Sequence, residues 1–441
     1  MGDVIIDGLT GANRLVILDA NGKIPALDGS AVTALAGANF SSGTIPVARI
    51  DTGTTAGKVV KLDGNAKLPA VSGAALTGVA GATKNASDPT VSTNPSGGVG
   101  TEWHNTTSGE VFVCTDATAG GNVWKNVGDQ SGDIAPYSYG GSDSGHILNG
   151  HGIDKVSFAS DGNATEHGNM ATGMNSTGRQ GCSGLSSLTH AYACGGYGPG
   201  QYSPNTSDTI ERYLFSAGGT MVDVGNMILH MRDYATSNNA THGFVQGGYR
   251  AANDPSGPAV VGYDHIQQLQ FAATNNMTDV ANLTSILGRP VGHTDAGNDY
   301  AYTSGGNSGS QQTTIQRHSM TSASDSVSVG NLRQATPGTG TSSATHGFGA
   351  GQYQGGNSTE IQKFAFSSST TTSDHGDIPS YNFQGTGFSS TDYGYIACGG
   401  ISPSETSNII WKYSFASSGN STDVGDMTVT QGYLGPNSCQ V

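Results

Sequence analysis

Side chains able to do chemistry are sparse in this sequence and are spaced by repetition, not by motif. Twelve histidines raise a metal reading first. His190, His242 and His346 each follow a threonine (Thr189, Thr241, Thr345) at one recurring position. A position fixed within a repeat is spread over separate structural units, so strand-edge hydrogen bonding is expected there, not a shared ligand set. His146 and His151 have no third ligand at a metal-site spacing. Asp19-Ala20-Asn21-Gly22 has the opening of a calcium loop but lacks the later ligands and the distal glutamate, and reads as a turn. No cofactor and no metal are expected. The five cysteines, Cys114, Cys182, Cys194, Cys398 and Cys439, form no CxxC pair, and an odd number argues against a disulfide framework, so buried free thiols are expected. Catalysis would need paired carboxylates, or a nucleophile with its base, in one cleft. Asp143, Asp254, Asp264 and Glu405 fall in loops with nothing to pair them, and the expectation is a protein that is not an enzyme. The residues best suited to binding are Tyr197, Tyr202, Tyr249, Arg250, Tyr263 and Asp264, flat aromatics beside polar groups that match sugar rings. The alternative is that these tyrosines pack their own loops.

Composition narrows the classes further. Glycine is 68 of 441 residues, about 15% and twice the usual share, while charged residues are 12%. That excludes a helical bundle or coiled coil and leaves a loop-rich all-β chain. The formal charge of −15 comes with no Lys/Arg cluster, so nucleic acid is not expected as a partner. No apolar run approaches a membrane span. The start has no basic region before an apolar core, and Ile6 stands where myristoylation wants Ser or Thr, so neither a Sec-type signal peptide nor a myristoyl anchor is expected.

The elements that must position these side chains come from internal repeats. From about Gly132 onward one pattern recurs six times, starting at Ile153, Ile210, Ile266, Ile315, Ile361 and Ile410. Seventeen residues after each comes Met170, Met227, Leu283, Leu332, Ile378 or Met427, preceded by Gly or Ala and then Asn or Asp. Before each Ile lies a short strand ending in paired small residues, from Gly140-Gly141 to Gly399-Gly400. The repeat length fits one four-stranded propeller blade per copy. The fixed unit reads as a hairpin of the two outer strands, with Tyr213 and Phe215, Phe364 and Phe366, and Tyr413 and Phe415 on one face against the next blade. Four base–acid pairs recur at one spacing, Lys155 with Glu166, Arg212 with Asp223, Lys363 with Asp374 and Lys412 with Asp423, and are expected to face each other across the hairpin. The first copy lacks a strand, and Gln431–Gly435 echoes Gln180–Gly184, so the C-terminal strand is expected to complete the first blade. The loops between the Gly pair and the Ile vary in length, which is how a rigid scaffold carries recognition.

Residues 1–80 carry a second repeat. Val16–Ala26 matches Val60–Ala70 at an offset of 44, with Gly43–Ile50 between them. Too few large side chains are present for a core, so an extended stalk ordered by assembly with identical chains is expected. Residues 81–131 read as a linker or long turn from Lys84 to Gly100 and a small β module, with a hairpin at Ser108-Gly109 and a strand at Val123–Val127.

The run Ile410-Trp411-Lys412-Tyr413-Ser414-Phe415-Ala416, continuing through Thr422–Met427, resembles kelch-like repeats in virion proteins of tailed phages, those of marine bacteria and cyanobacteria above all. Gly22–Ser30 and Gly43–Ile50 are similar to phage tail-fibre stalk repeats, and Ser108–Val127 to a β module that follows such stalks. The resemblance implies an all-β chain: a stalk for virion attachment and trimerisation (1–80), a linker and β module (81–131), and a six-bladed kelch-like β-propeller closed by the C-terminal strand (132–441). It implies a homotrimeric tail fibre in the virion that docks on tail, baseplate or capsid proteins and touches a host receptor, a surface polysaccharide. The alternatives are a head fibre, decoration protein or tail adaptor without receptor binding, and a glycan depolymerase. The chain lacks the strict Tyr and Trp positions of eukaryotic kelch repeats, so their partners do not carry over.

Overall fold

The computed structural model describes residues 20–21, 82–127, 134, 137–171, 179–197, 207–250, 262–273, 275–335, 338–351, 358–368, 371–380, 384–397, 399 and 406–441. The chain divides into two units, residues 1–82 and 83–441. In the first, Ala20 and Asn21 form a turn, and the expected stalk otherwise lies outside the described residues. The second unit is all-β: every regular element described in it is a strand. Among the described residues no helix is long and apolar enough to cross a membrane.

Residues 83–126 build a four-stranded sheet around Trp103, Phe112, Cys114 and Trp124. The two tryptophan rings meet edge to face at 5.9 Å. Gly109 turns the expected hairpin at φ +81°. The stretch from Lys84 to Gly100, expected as a linker or long turn, is held on the module. Thr83–Asn85 pairs in parallel with Trp103–Asn105, Trp103 Nε1 donates to the Ser87 carbonyl at 2.9 Å, and Asn122 Nδ2 donates to the Val91 carbonyl at 2.8 Å. Hydrogen bonds order this polar segment without the apolar periodicity that sequence patterns depend on.

Six further sheets follow. The second is representative, with antiparallel strands Ser183–Ser186, His190–Cys194, Thr209–Leu214 and Val222–Asn226 from inner to outer edge. The third, fourth, fifth and sixth begin at Ala235, Val291, Thr339 and Thr386 and repeat that order. The first has Ser144–Leu148, Gly152–Ser157 and Thr165–Asn169, with Cys439–Gln440 added as its inner strand, Cys439 opposite His146. The C-terminal strand thus takes the place expected of it. Its register differs from the expected echo, because the pairing makes Gly435–Gln440, not Gln431–Gly435, the counterpart of Gly181–Ser186. Gly140-Gly141 is likewise not the first copy's Gly pair. Ser144–Leu148 is the strand before Ile153, and Asn149-Gly150 follows it.

Apolar side chains hold successive sheets together. One core joins Phe348 and Ile361 of the fifth sheet to Ile396, Trp411, Tyr413 and Phe415 of the sixth, and another joins Ile147 and Val156 of the first to Phe388, Tyr395 and Met427 of the sixth. The aromatic pairs act between sheets as expected. Phe366 stacks on Tyr302 at 4.9 Å and Phe415 on Phe348 at 4.8 Å, each contact contributing about 0.5–1.5 kcal/mol beyond its buried area.

Two polar series run through the same boundaries. The carbonyls of Asn169, Asn226, Asn282, Asn331, Asp377 and Asp426 accept backbone N–H bonds of 2.8–2.9 Å from Met221, Met277, Ser326, Thr372, Ser421 and Ala164. Each bond reaches the next sheet, and the sixth returns to the first. A Cβ on Gly376, in the small-residue column beside this series, would collide with the Gly419 carbonyl, which explains the glycine there. In the second series the residue after the Ile reaches back one sheet. Gln267 Oε1 accepts from Ile228 N, Gln316 Oε1 from Thr284 N and Gln362 Oε1 from Arg333 N, each at 2.7 Å, and Asp154 Oδ2 accepts from Thr428 N at 2.8 Å. In the sixth sheet Trp411 holds this position. The preceding sheet there presents Pro379, which has no N–H to offer.

The expected cross-hairpin ion pairs are not register partners. A β-bulge after the Ile shifts every hairpin by one residue, setting Glu166 opposite Asp154, Asp223 opposite Glu211, Asp374 opposite Gln362 and Asp423 opposite Trp411. Lys155, Arg212, Lys363 and Lys412 then stand opposite Thr165, Val222, Ser373 and Thr422. Lys155 turns to Asp143 at 3.2 Å and Lys412 to Asp161 at 2.7 Å. Asp223 and Asp423 accept instead from the N–H of Gly225 and Gly425, each at 3.1 Å.

Candidate functional site

Both connections that differ between sheets leave from one end: the loop from the second strand to the third, and the crossover from the outer strand to the next inner strand. The paired glycines make the first of these possible. Gly195 and Gly196 have φ +49° and +94°, successive left-handed residues that side chains disfavour. They turn the chain so that Tyr197 pairs with Gln180, and the same geometry after Gly247-Gly248 pairs Tyr249 with Arg232.

These residues form an alternating ladder. The Arg232 guanidinium lies 3.9 Å from the Tyr197 ring centre and 4.9 Å from that of Tyr249, and Arg289 lies 5.1 Å from Tyr249. Asp233, its side chain 4% exposed, approaches Arg232 Nε at 3.8 Å and Arg289 Nε at 3.4 Å. Burial alone would lower the Arg232 pKa, but Asp233 and the two tyrosines outweigh it and hold the group above its ordinary value. Burial raises the Tyr197 phenol, and Arg232 opposes that shift.

The ladder grows from a chain of backbone bonds around the inner strands. Gly181 N donates to the Tyr433 carbonyl, Asp233 N to that of Gly181, Arg289 N to that of Asp233, and Leu434 N to that of Gln384, each at 2.9 Å. Asp233, Arg289, Gln384 and Tyr433 all have left-handed backbones, with φ between +51° and +61°. Beneath them the C-terminal segment fills the space between the inner strands. Asn437 Nδ2 donates to the carbonyls of Gly292 and Gly340 at 3.1 and 3.2 Å, its Oδ1 accepts from Gly292 N at 3.2 Å, and Ser438 N donates to the Gly387 carbonyl at 2.8 Å.

Of the residues expected to bind, Tyr197 and Tyr249 are brought together, through Arg232. Arg250 and Tyr263 form a second cation–π pair at 5.8 Å. Asp264 faces His265 at 3.3 Å, and Tyr202 lies outside the described residues. Sequence reasoning missed Arg232, Asp233 and Arg289. Their only signal was position, at the place Gln180-Gly181 takes before the preceding inner strand.

The remaining reactive groups have structural surroundings. His190, His242 and His346 each hold their ring Nδ1 2.8 Å from the hydroxyl of the preceding threonine. His146 lies between Ser144 Oγ, 3.0 Å from Nε2, and the Tyr213 hydroxyl on Nδ1, and burial depresses its pKa to about 3. Ser144 in turn donates to Asp143 at 2.9 Å, so the carboxylate sits on the serine, not on the imidazole it would have to orient for nucleophilic catalysis. Cys114, Cys182, Cys194 and Cys439 are free and buried, and burial pushes the Cys182 thiol up to about 11. Among the described residues no group of three or more His, Cys, Asp or Glu side chains could hold a metal ion. Asp254 and Glu405 lie outside the described residues.

Comparison of the chain with models of known protein families returns no match, and comparison with curated proteins returns none either.

Proposed function

We propose that the six sheets are the blades of a closed, kelch-like propeller carried on a stalk that assembles three copies, and that the chain is a tail fibre through which a tailed phage holds a surface glycan of its host. The observation that carries the adhesion reading is the division of labour between the two parts of each sheet. The hairpins are constant, tied to their neighbours by one backbone bond per boundary and one side-chain clasp at most of them. Variation is confined to the loop end, where Tyr197, Arg232, Tyr249 and Arg289 gather. Support for closure comes from the two series that return from the sixth sheet to the first, from the core those two sheets share, and from the C-terminal strand in the first sheet. The stalk, the trimer and the place on the virion rest on the resemblance of residues 1–80 and of the repeats to phage fibre proteins.

The test is saturable binding of fluorescently labelled full chain to a panel of marine bacteria and cyanobacteria, before and after periodate oxidation of surface sugars. Binding to some strains that periodate abolishes supports glycan adhesion. Binding to none of the panel, or binding untouched by periodate, refutes it.

A further inference from the structure

The glycine pair Gly140-Gly141 belongs to no repeat copy and has no left-handed backbone, yet a side chain fits at neither position. A Cβ on Gly140 would stand 2.6 Å from the Ser390 carbonyl oxygen. One on Gly141 would stand 2.6 Å from the Val441 backbone oxygen and 2.8 Å from the Phe158 ring. The two glycines let the stretch Tyr137–Asp143, just ahead of the strand Ser144–Leu148, pass closely between the sixth sheet and Val441. We infer that Tyr137–Asp143 is a strap that couples the chain ahead of it to the C-terminal strand: it binds the sixth sheet and that strand at once, and its withdrawal frees the strand from the first sheet. This builds on the seating of the sixth sheet against the first, through the core they share, and is independent of the adhesion reading.

Contacts on three sides hold the strap. At the third sheet, Asn238 Nδ2 donates to the Tyr137 hydroxyl. At the sixth, Gly141 pairs in parallel with Ser390: Gly141 N donates to the Ser389 carbonyl at 2.9 Å, and Thr391 N to the Gly141 carbonyl at 3.1 Å. At the C-terminal strand, Gln440 Nε2 donates to the Tyr139 carbonyl at 3.0 Å, and Asp143 N to the Val441 backbone oxygen at 2.8 Å. Ser144 N shares that oxygen at 3.0 Å, and Val441 N donates to the Ser144 carbonyl at 2.9 Å. Tyr139 and Gln440 are 8% and 3% exposed, so a bond lost between them leaves buried polar groups unpaired. The C-terminal strand needs this support. Its ladder with the first sheet has two residue pairs, Cys439 with His146 and Gln440 with Gly145, and so short a ladder frays readily by itself. Its other bonds run sideways, from Gln440 N to Ser186 Oγ at 3.0 Å and through Asn437 to the fourth and fifth sheets. A pull on the chain ahead of Tyr137 is thereby delivered to the C-terminal strand and the sixth sheet as well as to the first.

Hydrogen exchange of the full chain, read residue by residue at pH 7 and at urea concentrations below the unfolding transition, tests the coupling. The amides of Gly141, Asp143, Ser144 and Val441 should open in one event, with protection factors equal within about threefold and one urea dependence. Gly141→Val, which drives a side chain into Val441 and Phe158, should speed exchange at Cys439–Val441 about tenfold or more. The third-sheet strands Tyr263–Gln270 and Thr278–Leu287 should keep wild-type rates. In the wild type, protection of the strap without Val441, or of Val441 without the strap, overturns the inference. A folded Gly141→Val whose Cys439–Val441 amides exchange as in the wild type, or whose third-sheet strands speed up equally, also overturns it. If the Ala164 and Thr428 amides, bonded across the first and sixth sheets, are unprotected, the seating of those sheets falls and the inference with it. If the variant does not fold, the wild-type protection factors decide alone.

Discussion

Lowering the pH from 7 to 5 should destabilise this protein by several kcal/mol, and His318→Phe should remove a definable share of that loss. Burial depresses the pKa of His146 to about 3 and those of His293 and His318 to about 4, against 6.5 for an exposed histidine. A depressed histidine is neutral in the folded state while the unfolded chain binds its proton below pH 6.5, so stability falls with pH through 6.5 and levels off only near 4 or 3. At pH 5 the deficit per histidine is about 1.5 × 1.36, or roughly 2 kcal/mol, and about 6 kcal/mol for the three. Asp154 and Glu360, whose carboxyls burial raises, shift in the opposite sense and offset a part. His318 is the informative position. It is 3% exposed, neither ring nitrogen has a hydrogen-bond partner, and it packs edge-on against Phe244 at 5.4 Å. The matching residue of the fifth sheet is Phe364. Phenylalanine keeps the contact and removes two unsatisfied nitrogens, so the variant should gain about 1–3 kcal/mol at pH 7 and roughly 2 kcal/mol more at pH 5. Urea denaturation of both proteins at the two pH values measures the four free energies. A wild type equally stable at pH 5 and 7, or a variant whose loss between them matches the wild type's, refutes the reasoning.

Two further perturbations probe how the sheets are held. Asn437→Ala strips an amide that serves Gly292 and Gly340 at once, leaves buried backbone groups unpaired and should cost about 2–4 kcal/mol in urea denaturation; a change under about 0.5 kcal/mol would contradict the role given to the C-terminal segment. Gln316→Ala breaks the 2.7 Å bond to Thr284 N and should cost about 1–3 kcal/mol, whereas Trp411→Gln should bring no compensating bond because Pro379 has no N–H, and should lose stability through its lost packing with Phe348 and Ile361. A stabilised Trp411→Gln variant would show that the clasp is read wrongly.

The repeats were legible because the hairpin between the Ile and the Met column has to span one fixed distance: its Ile lies in the third strand, and its Asn or Asp makes the bond to the next sheet. The ion-pair column was misread for a physical reason. A bulge after each Ile adds one residue to one side of every hairpin, and constant spacing looks the same with or without it. The position after the Ile passed as unconstrained, although Asp154, Gln267, Gln316 and Gln362 are buried acceptors there, because its partners lie a sheet away. At the candidate site Tyr197 and Tyr249 stood out as loop aromatics, but Arg232, Asp233 and Arg289 sit in crossovers with no repeat signature. The left-handed backbones of Asp233 and Arg289 and the ring contacts of Arg232 and Arg289 exist only once neighbouring sheets are in place.

The most direct test of the account is binding of the full chain to bacterial cells by three proteins: wild type, the double variant Arg232→Gln/Arg289→Gln at the loop end, and Leu188→Ser. Leu188 is 65% exposed, in the turn at the opposite end of the second sheet. The account predicts that the double variant, with its fold intact, loses cell binding by about a hundredfold, two tenfold steps, while Leu188→Ser binds as wild type. Retained binding by the double variant, or loss in Leu188→Ser alone, would contradict it.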